Sequence, residues 1–122
     1  MATILIIEDD PNFARMVDKI LRPHGHEVVH AGNALSGLHL AENNPVELVL
    51  LDMDLPDLDG KVVATTLRAR SGMEGVPIIA VTAQSDAIAR RLALAFGCDG
   101  FIPKPIDTRD FPNQVAAFLS QS

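Results

Sequence analysis

The chain reads as an α/β domain: a five-stranded parallel sheet in the order 2-1-3-4-5, with five helices shared between its two faces. Two observations point there. Short β-branched apolar runs alternate five times with stretches of helical periodicity, the signature of repeated βα units whose parallel sheet is covered on both sides. Four of the five runs end in chemically loaded residues, namely Glu8-Asp9-Asp10, Asp52, Thr82 and Lys104, whereas the second ends in plain Ala31-Gly32. Right-handed crossovers and short connections leave few layouts. The silent second strand then belongs at the edge, and Asp9 and Asp52 face each other at the switch point between strands one and three.

The elements follow in order. Strands are predicted at about 3–7, 27–31, 48–51, 77–82 and 100–102. Asp10 caps the first helix with Pro11 at its first position, and Phe13, Val17, Ile20 and Leu21 form its buried stripe. Asn33 caps the second, which stops at Asn43-Asn44-Pro45; the third follows Asp59-Gly60 and ends near Ser71-Gly72. Ser85 or Asp86 opens the fourth, where Ile88, Leu92 and Phe96 recur every four residues before Gly97 stops it. The fifth covers roughly 108–120, but Pro112 delays regular helix to about Phe111.

The 122 residues fit one domain, 1–122, with 48% apolar residues to build its core. No apolar stretch approaches the roughly 18 residues of a membrane span, and the first residues lack the basic start and apolar run of a signal peptide. The expectation is a cytoplasmic protein without membrane contact. Cys98 is the single cysteine, so no internal disulfide forms, and its small neighbours mark it as inert. The net charge of −6 argues against direct nucleic-acid binding. Much of that excess is local, in Glu8, Asp9, Asp10 and in Asp52, Asp54, Asp57, Asp59.

Residues just past the ends of parallel strands share one edge, where open α/β sheets place ligands. Two carboxylates about 4 Å apart repel by roughly 4 kcal/mol at an effective dielectric near 20, so gathering them calls for compensation. Mg²⁺ supplies it, since it takes oxygen ligands and keeps waters for substrate oxygens. Asp9 and Asp52 are the candidate direct ligands, with the backbone carbonyl of Asp54 completing the protein's share and Glu8 acting through water. A carboxylate can also accept a phosphoryl group when a metal and a cation neutralise the equatorial oxygens. Lys104 is the candidate cation, and Thr82 a hydrogen-bond donor to a further oxygen. Taken singly, Asp10 is a cap, Thr82 a strand residue and Lys104 a solvated charge; their joint placement after separate strands is what points to a site.

The runs Ile4-Leu5-Ile6-Ile7-Glu8-Asp9-Asp10, Leu51-Asp52-Met53-Asp54-Leu55-Pro56-Asp57-Leu58-Asp59-Gly60, Val81-Thr82-Ala83 and Lys104-Pro105 resemble the receiver domains of two-component response regulators, which have the flavodoxin-like (βα)5 fold. The likeness covers the whole chain. It implies that Asp52 is the phosphoacceptor for a histidine kinase or histidine phosphotransfer protein, that Glu8 and Asp9 are the acidic pair for Mg²⁺, and that Thr82 and Lys104 contact the phosphoryl group. It also implies a switch in which Thr82 moves toward the phosphoryl group and Phe101 turns inward, changing a face of the fourth helix, fifth strand and fifth helix that binds a downstream protein target. Met1 at the strand edge and an end at Ser122 resemble the stand-alone, chemotaxis-regulator-like kind. The Lys104-Pro105 bond is expected to be cis, aiming the amine back toward Asp52.

Three positions depart from the family pattern. Phe101 lacks the hydroxyl of the tyrosine that often stands there, and Asp54 and Gln84 occupy positions that tune self-dephosphorylation in the family. For Asp54 two readings stand equal, added negative charge beside the phosphoryl group or a side chain in solvent. The last helix carries no basic residue after Arg109, unlike the charged dimer interface of DNA-binding members.

Other readings fit less well. Asp52-Met53-Asp54 matches the D-x-D opening of haloacid-dehalogenase-like phosphatases, but that family places it at the first strand and carries a cap domain. A receiver-like interaction module that is never phosphorylated would not need the full set of Glu8, Asp9, Asp52, Thr82 and Lys104. His24, His26 and His30 lack a matched ligand set, and no phosphate-cradling glycine loop is present. Arg90 and Arg91 on the fourth helix are a solvated face or, beside Phe101, a partner surface.

Overall fold

The computed structural model describes residues 2–84 and 86–120. Five strands, β1 (Thr3–Ile7), β2 (Glu27–Ala31), β3 (Leu48–Asp52), β4 (Ile78–Thr82) and β5 (Gly100–Pro103), alternate with α1 (Pro11–Leu21), α2 (Ala34–Asn43), α3 (Gly60–Ala69), α4 (Ala87–Ala95) and α5 (Phe111–Leu119). The sheet is parallel throughout and ordered β2-β1-β3-β4-β5, as the loaded strand ends predict.

Strand residues alternate between faces, and the core divides accordingly. Leu5, Ile7, Val49, Leu51, Ile78 and Ala80 pack on one side with Leu38 of α2 and with Val63, Ala64 and Leu67 of α3. Ile4, Ile6, Leu48, Leu50, Ile79, Val81 and Ile102 pack on the other with Ala14, Val17 and Leu21 of α1 and with Phe111 and Val115 of α5. Every residue of β3 and β4 is buried, while β2 at the edge keeps partly exposed positions. The central strands are therefore read as unbroken apolar runs, held on both faces.

The caps hold the strand ends in place. The Asp10 side chain accepts from the Asn12 N–H with Pro11 at the first turn, Asn33 accepts from Ser36 N, Asp59 from Lys61 N and Asp86 from Ala89 N. Each satisfies a donor that an uncapped helix leaves unpaired. Asp86 is thus the cap of α4, and Ser85, the other candidate, lies outside the described residues, as do Met1 and Ser122. Gly97 closes α4 at a φ of +107°, a conformation L side chains rarely adopt. α5 begins at Phe111, after a turn in which Asp107 accepts from Arg109 N and Asp110 N.

One helix face differs from expectation. On α1 the fully buried residues are Ala14, Val17 and Leu21, with Phe13 and Ile20 only partly covered, because the small Ala14 lets the helix approach the sheet closely. On α4 the apolar repeat lies outside the buried core. Ile88, Leu92 and Phe96 are 68%, 42% and 41% exposed, and the residue that α4 buries is Ala93.

Candidate functional site

The parallel register builds the site. Ile7 lies beside Leu51 and Ala31, Asp52 beside Val81, and Thr82 beside Pro103, so the residues that follow converge on one edge. Glu8 and Asp52 are buried there at 1% and 5% exposure, while Asp9 reaches solvent. One carboxylate oxygen from each of Glu8, Asp9 and Asp52 lies within 4.8 Å of the others. An all-oxygen donor set of this kind suits a hard divalent cation such as Mg²⁺.

The three carboxylates are not equivalent. Both Glu8 oxygens are engaged: Oε1 accepts from Lys104 Nζ at 2.7 Å and Oε2 from the Asp10 N–H at 3.1 Å. Lys104 was expected opposite Asp52; its direct partner is Glu8, and Asp52 acts on it only through space. Burial opposes the lysine's charge, but the bond to Glu8 and the carboxylates of Asp52, Glu8 and Asp9 together hold its pKa above the ordinary value. The amine also sits 4.4 Å from the centre of the Phe13 ring, a cation–π contact. The Lys104–Pro105 peptide bond is cis, as expected.

Asp52 has the opposite bias. Burial, chiefly, and then the Glu8 carboxylate raise its pKa from 3.8 to about 7, against the Asp54 N–H that donates to Oδ1 at 3.0 Å and the charge of Lys104. A carboxylate held at this cost is poised for any cation or electrophile that relieves its repulsion.

Asp54 resolves neither as free in solvent nor as charge alone. Its side chain is exposed, yet Oδ2 accepts from the Thr82 hydroxyl at 3.2 Å, while the same hydroxyl accepts from the Gln84 N–H at 3.1 Å. Strand order carries the signal for this pair, since β3 and β4 are neighbours and both residues lie just beyond the Asp52–Val81 pairing. Asp54, Thr82, Gln84 and Phe101 then line a cleft of about 430 Å³ together with Lys61, Leu92 and Ala93. Phe101 is partly buried against the core beneath this cleft.

Asp57 and His30 have structural work. Asp57 accepts from the backbone N–H groups of Ala34 and Leu35 at the start of α2, which lowers its pKa, and so ties the loop after β3 to that helix. His30 Nε2 donates to the Glu8 carbonyl at 2.7 Å, bracing the acidic turn from the edge strand. Nothing in the sequence pattern marked either contact. Burial pushes the Cys98 thiol up to about 11, consistent with an inert residue. Among the described residues, no helix is long and apolar enough to cross a membrane.

Comparison with known proteins follows the same geometry. The family model "Response regulator receiver domain" matches residues 4–116. The sensory transduction protein RegX3 of Mycolicibacterium smegmatis is 35% identical over 119 residues, which are 98% of this chain and 51% of that protein. The chain thus spans about half the length of the curated relatives it matches. A CheY-like response regulator receiver domain protein from Methanospirillum hungatei superposes with a TM-score of 0.90 at 30% identity, covering 98% of this chain and 94% of that one. The receiver domain of a sensor histidine kinase from Pseudomonas aeruginosa has a TM-score of 0.88 at 27% identity, covers 98% of each chain, and holds a magnesium ion coordinated in its active-site cleft.

Proposed function

Because the chain belongs to the response regulator receiver domain family of two-component systems, we propose that residues 1–122 form one receiver domain in which Asp52 is the phosphoacceptor. The donor is a phosphohistidine on a histidine kinase or histidine phosphotransfer protein. The observation that carries the assignment is the position of Asp52: buried, raised in pKa to about 7, and gathered with Glu8 and Asp9 at the strand ends. An oxygen of the ionised Asp52 attacks phosphorus as the bond to the imidazole nitrogen breaks, and the imidazole leaves with its electron pair and takes up a proton.

The all-carboxylate donor set fits Mg²⁺. Asp9, Asp52 and the backbone carbonyl of Asp54 would hold it; Glu8, with both oxygens engaged, would act through water. When bound, the ion neutralises carboxylate and phosphoryl charge. Lys104, anchored on Glu8 at the same edge, offers its ammonium to a phosphoryl oxygen, and Thr82 offers its hydroxyl to another. Thr82 and Phe101 line one cleft, which supports a switch that couples the hydroxyl to the ring and so to the face of α4, β5 and α5 where a downstream protein target binds. The chain in this reading is a cytoplasmic signalling switch. It promotes only its own phosphorylation and dephosphorylation, with no direct contact to nucleic acid or membrane.

Incubation with acetyl phosphate and Mg²⁺ followed by intact-mass analysis tests the assignment. One phosphoryl group is expected on the wild type and none on Asp52→Asn. Undiminished labelling of that variant, or full-rate labelling in excess chelator or in Asp9→Ala, would overturn it.

A further inference from the structure

A hydroxyl has a single proton to donate, and in this protein that of Thr82 is directed to a neighbouring carboxylate. Thr82 is 3% exposed, and its Oγ1 donates to Asp54 Oδ2 at 3.2 Å while accepting from Gln84 N at 3.1 Å. We propose that Asp54 is a latch on the switch threonine: by occupying the Thr82 proton it holds the hydroxyl in the unphosphorylated arrangement. The phosphoryl group must displace Asp54 before Thr82 can engage it. This inference rests on the proposed phosphoacceptor role of Asp52.

The Thr82 hydroxyl faces an exclusive choice of acceptor. The Thr82 side chain is β-branched and confined to few χ1 wells, so donation to Asp54 and donation toward Asp52 are alternatives. Asp54 is also joined to the other partner, because its backbone N–H donates to Asp52 Oδ1 at 3.0 Å. The same residue therefore touches the acceptor through its backbone and the threonine through its side chain. Charge is a separate effect: an anionic Asp54 repels an incoming phosphoryl group whether or not Thr82 is present. The latch is the part of its influence that depends on Thr82.

A double-mutant cycle separates the two. The probe is beryllofluoride with Mg²⁺, titrated into the wild-type chain, Asp54→Ala, Thr82→Ala and the double variant, with chemical shifts as the readout. Asp54 is exposed, so its truncation leaves the fold intact. Asp54→Ala is expected to tighten beryllofluoride binding about tenfold in the wild-type background, as the loss of one competing hydrogen bond together with a repulsive charge allows. In the Thr82→Ala background the gain is expected to shrink to about twofold, the part due to charge. Equal gains in both backgrounds would overturn the latch and leave Asp54 as a charge only. In unliganded protein, Asp54→Ala is also expected to release the Thr82 side chain into averaging between χ1 wells, read from its methyl couplings. An unchanged rotamer would overturn the proposal regardless of beryllofluoride binding. Failure of wild type to bind beryllofluoride would instead count against the phosphoacceptor reading itself.

Discussion

Asp52→Asn is expected to stabilise the metal-free protein at neutral and alkaline pH, at the expense of its chemistry. Asparagine has nearly the same shape and keeps an oxygen for the Asp54 N–H that Asp52 now accepts at 3.0 Å, so what changes is the buried charge. In the folded protein the Asp52 pKa is raised from 3.8 to about 7, first by burial and then by Glu8. An acid with a raised folded pKa takes up a proton on folding, so its stabilising share is complete below pH 3.8 and is lost as pH rises through about 7. A shift of that size corresponds to at most about 4 kcal/mol at pH 8, roughly 2 kcal/mol at pH 5 and under about 1 kcal/mol at pH 4. Relaxation around the carboxylate reduces these figures, so a gain of about 2–4 kcal/mol for Asp52→Asn at pH 8 is the expectation.

The assay is urea unfolding of both proteins in chelator at pH 8, 5 and 4. The gap should narrow steadily with acid, and Mg²⁺ added at pH 8 should narrow it as well, since the aspartate protein binds the ion more tightly and is stabilised by mass action. Equal stabilities at pH 8, or a gap that widens on acidification, would refute the claim that Asp52 is held ionised against its surroundings.

Three further outcomes follow from the geometry. Lys104→Ala leaves the buried Glu8 carboxylate without its cation and is expected to lower stability by about 2 kcal/mol, less than a fully buried pair because the lysine is partly solvated; urea midpoints of the single variant check this, and no loss would mean Glu8 finds other compensation. Gly37→Ala places a Cβ 2.5 Å from Ile7 Cδ1 where α2 crosses β1, so a loss of about 1–3 kcal/mol is expected on thermal unfolding. Saturation with beryllofluoride and Mg²⁺ is expected to shift the Phe101 ring resonances and the amides of Arg90, Arg91 and Arg109; a silent Phe101 would mean that output leaves through another surface.

The sheet order was legible because the chemistry of the strand ends agreed with the apolar pattern: four loaded ends and one silent end leave β2 at the edge. The caps were legible for a related reason. Asp10-Pro11, Asn33, Asp59 and Asp86 each accept from a backbone N–H within three residues, so their contacts depend on local sequence alone. What stayed hidden spans longer separations. The Lys104 bond to Glu8, the Asp57 bonds to α2 and the His30 bond to the Glu8 carbonyl join residues 96, 23 and 22 apart or nearly so, and their choice among neighbouring partners depends on side-chain length and angle. Lys104 illustrates this well: several carboxylates share its edge, and only the built site distinguishes Glu8 as the contact from Asp52 as the distant charge.

The apolar repeat of α4 bears on function as well as on packing. A four-residue apolar repeat marks a coherent helix face, but not which face the sheet receives. Here the sheet takes Ala93, whose small side chain permits close approach, and Ile88, Leu92 and Phe96 are left exposed on the helix. Leu92 and Ala93 bound the same cleft as Asp54, Thr82 and Phe101, so the chemical edge and the weakly buried helix meet at one place. β3 and β4, buried along their whole length, keep Asp52 and Thr82 in fixed register, while α4 has little apolar burial of its own to resist displacement. A few kcal/mol at Asp52 would leave such strands in place, yet is enough to reposition a helix held this lightly.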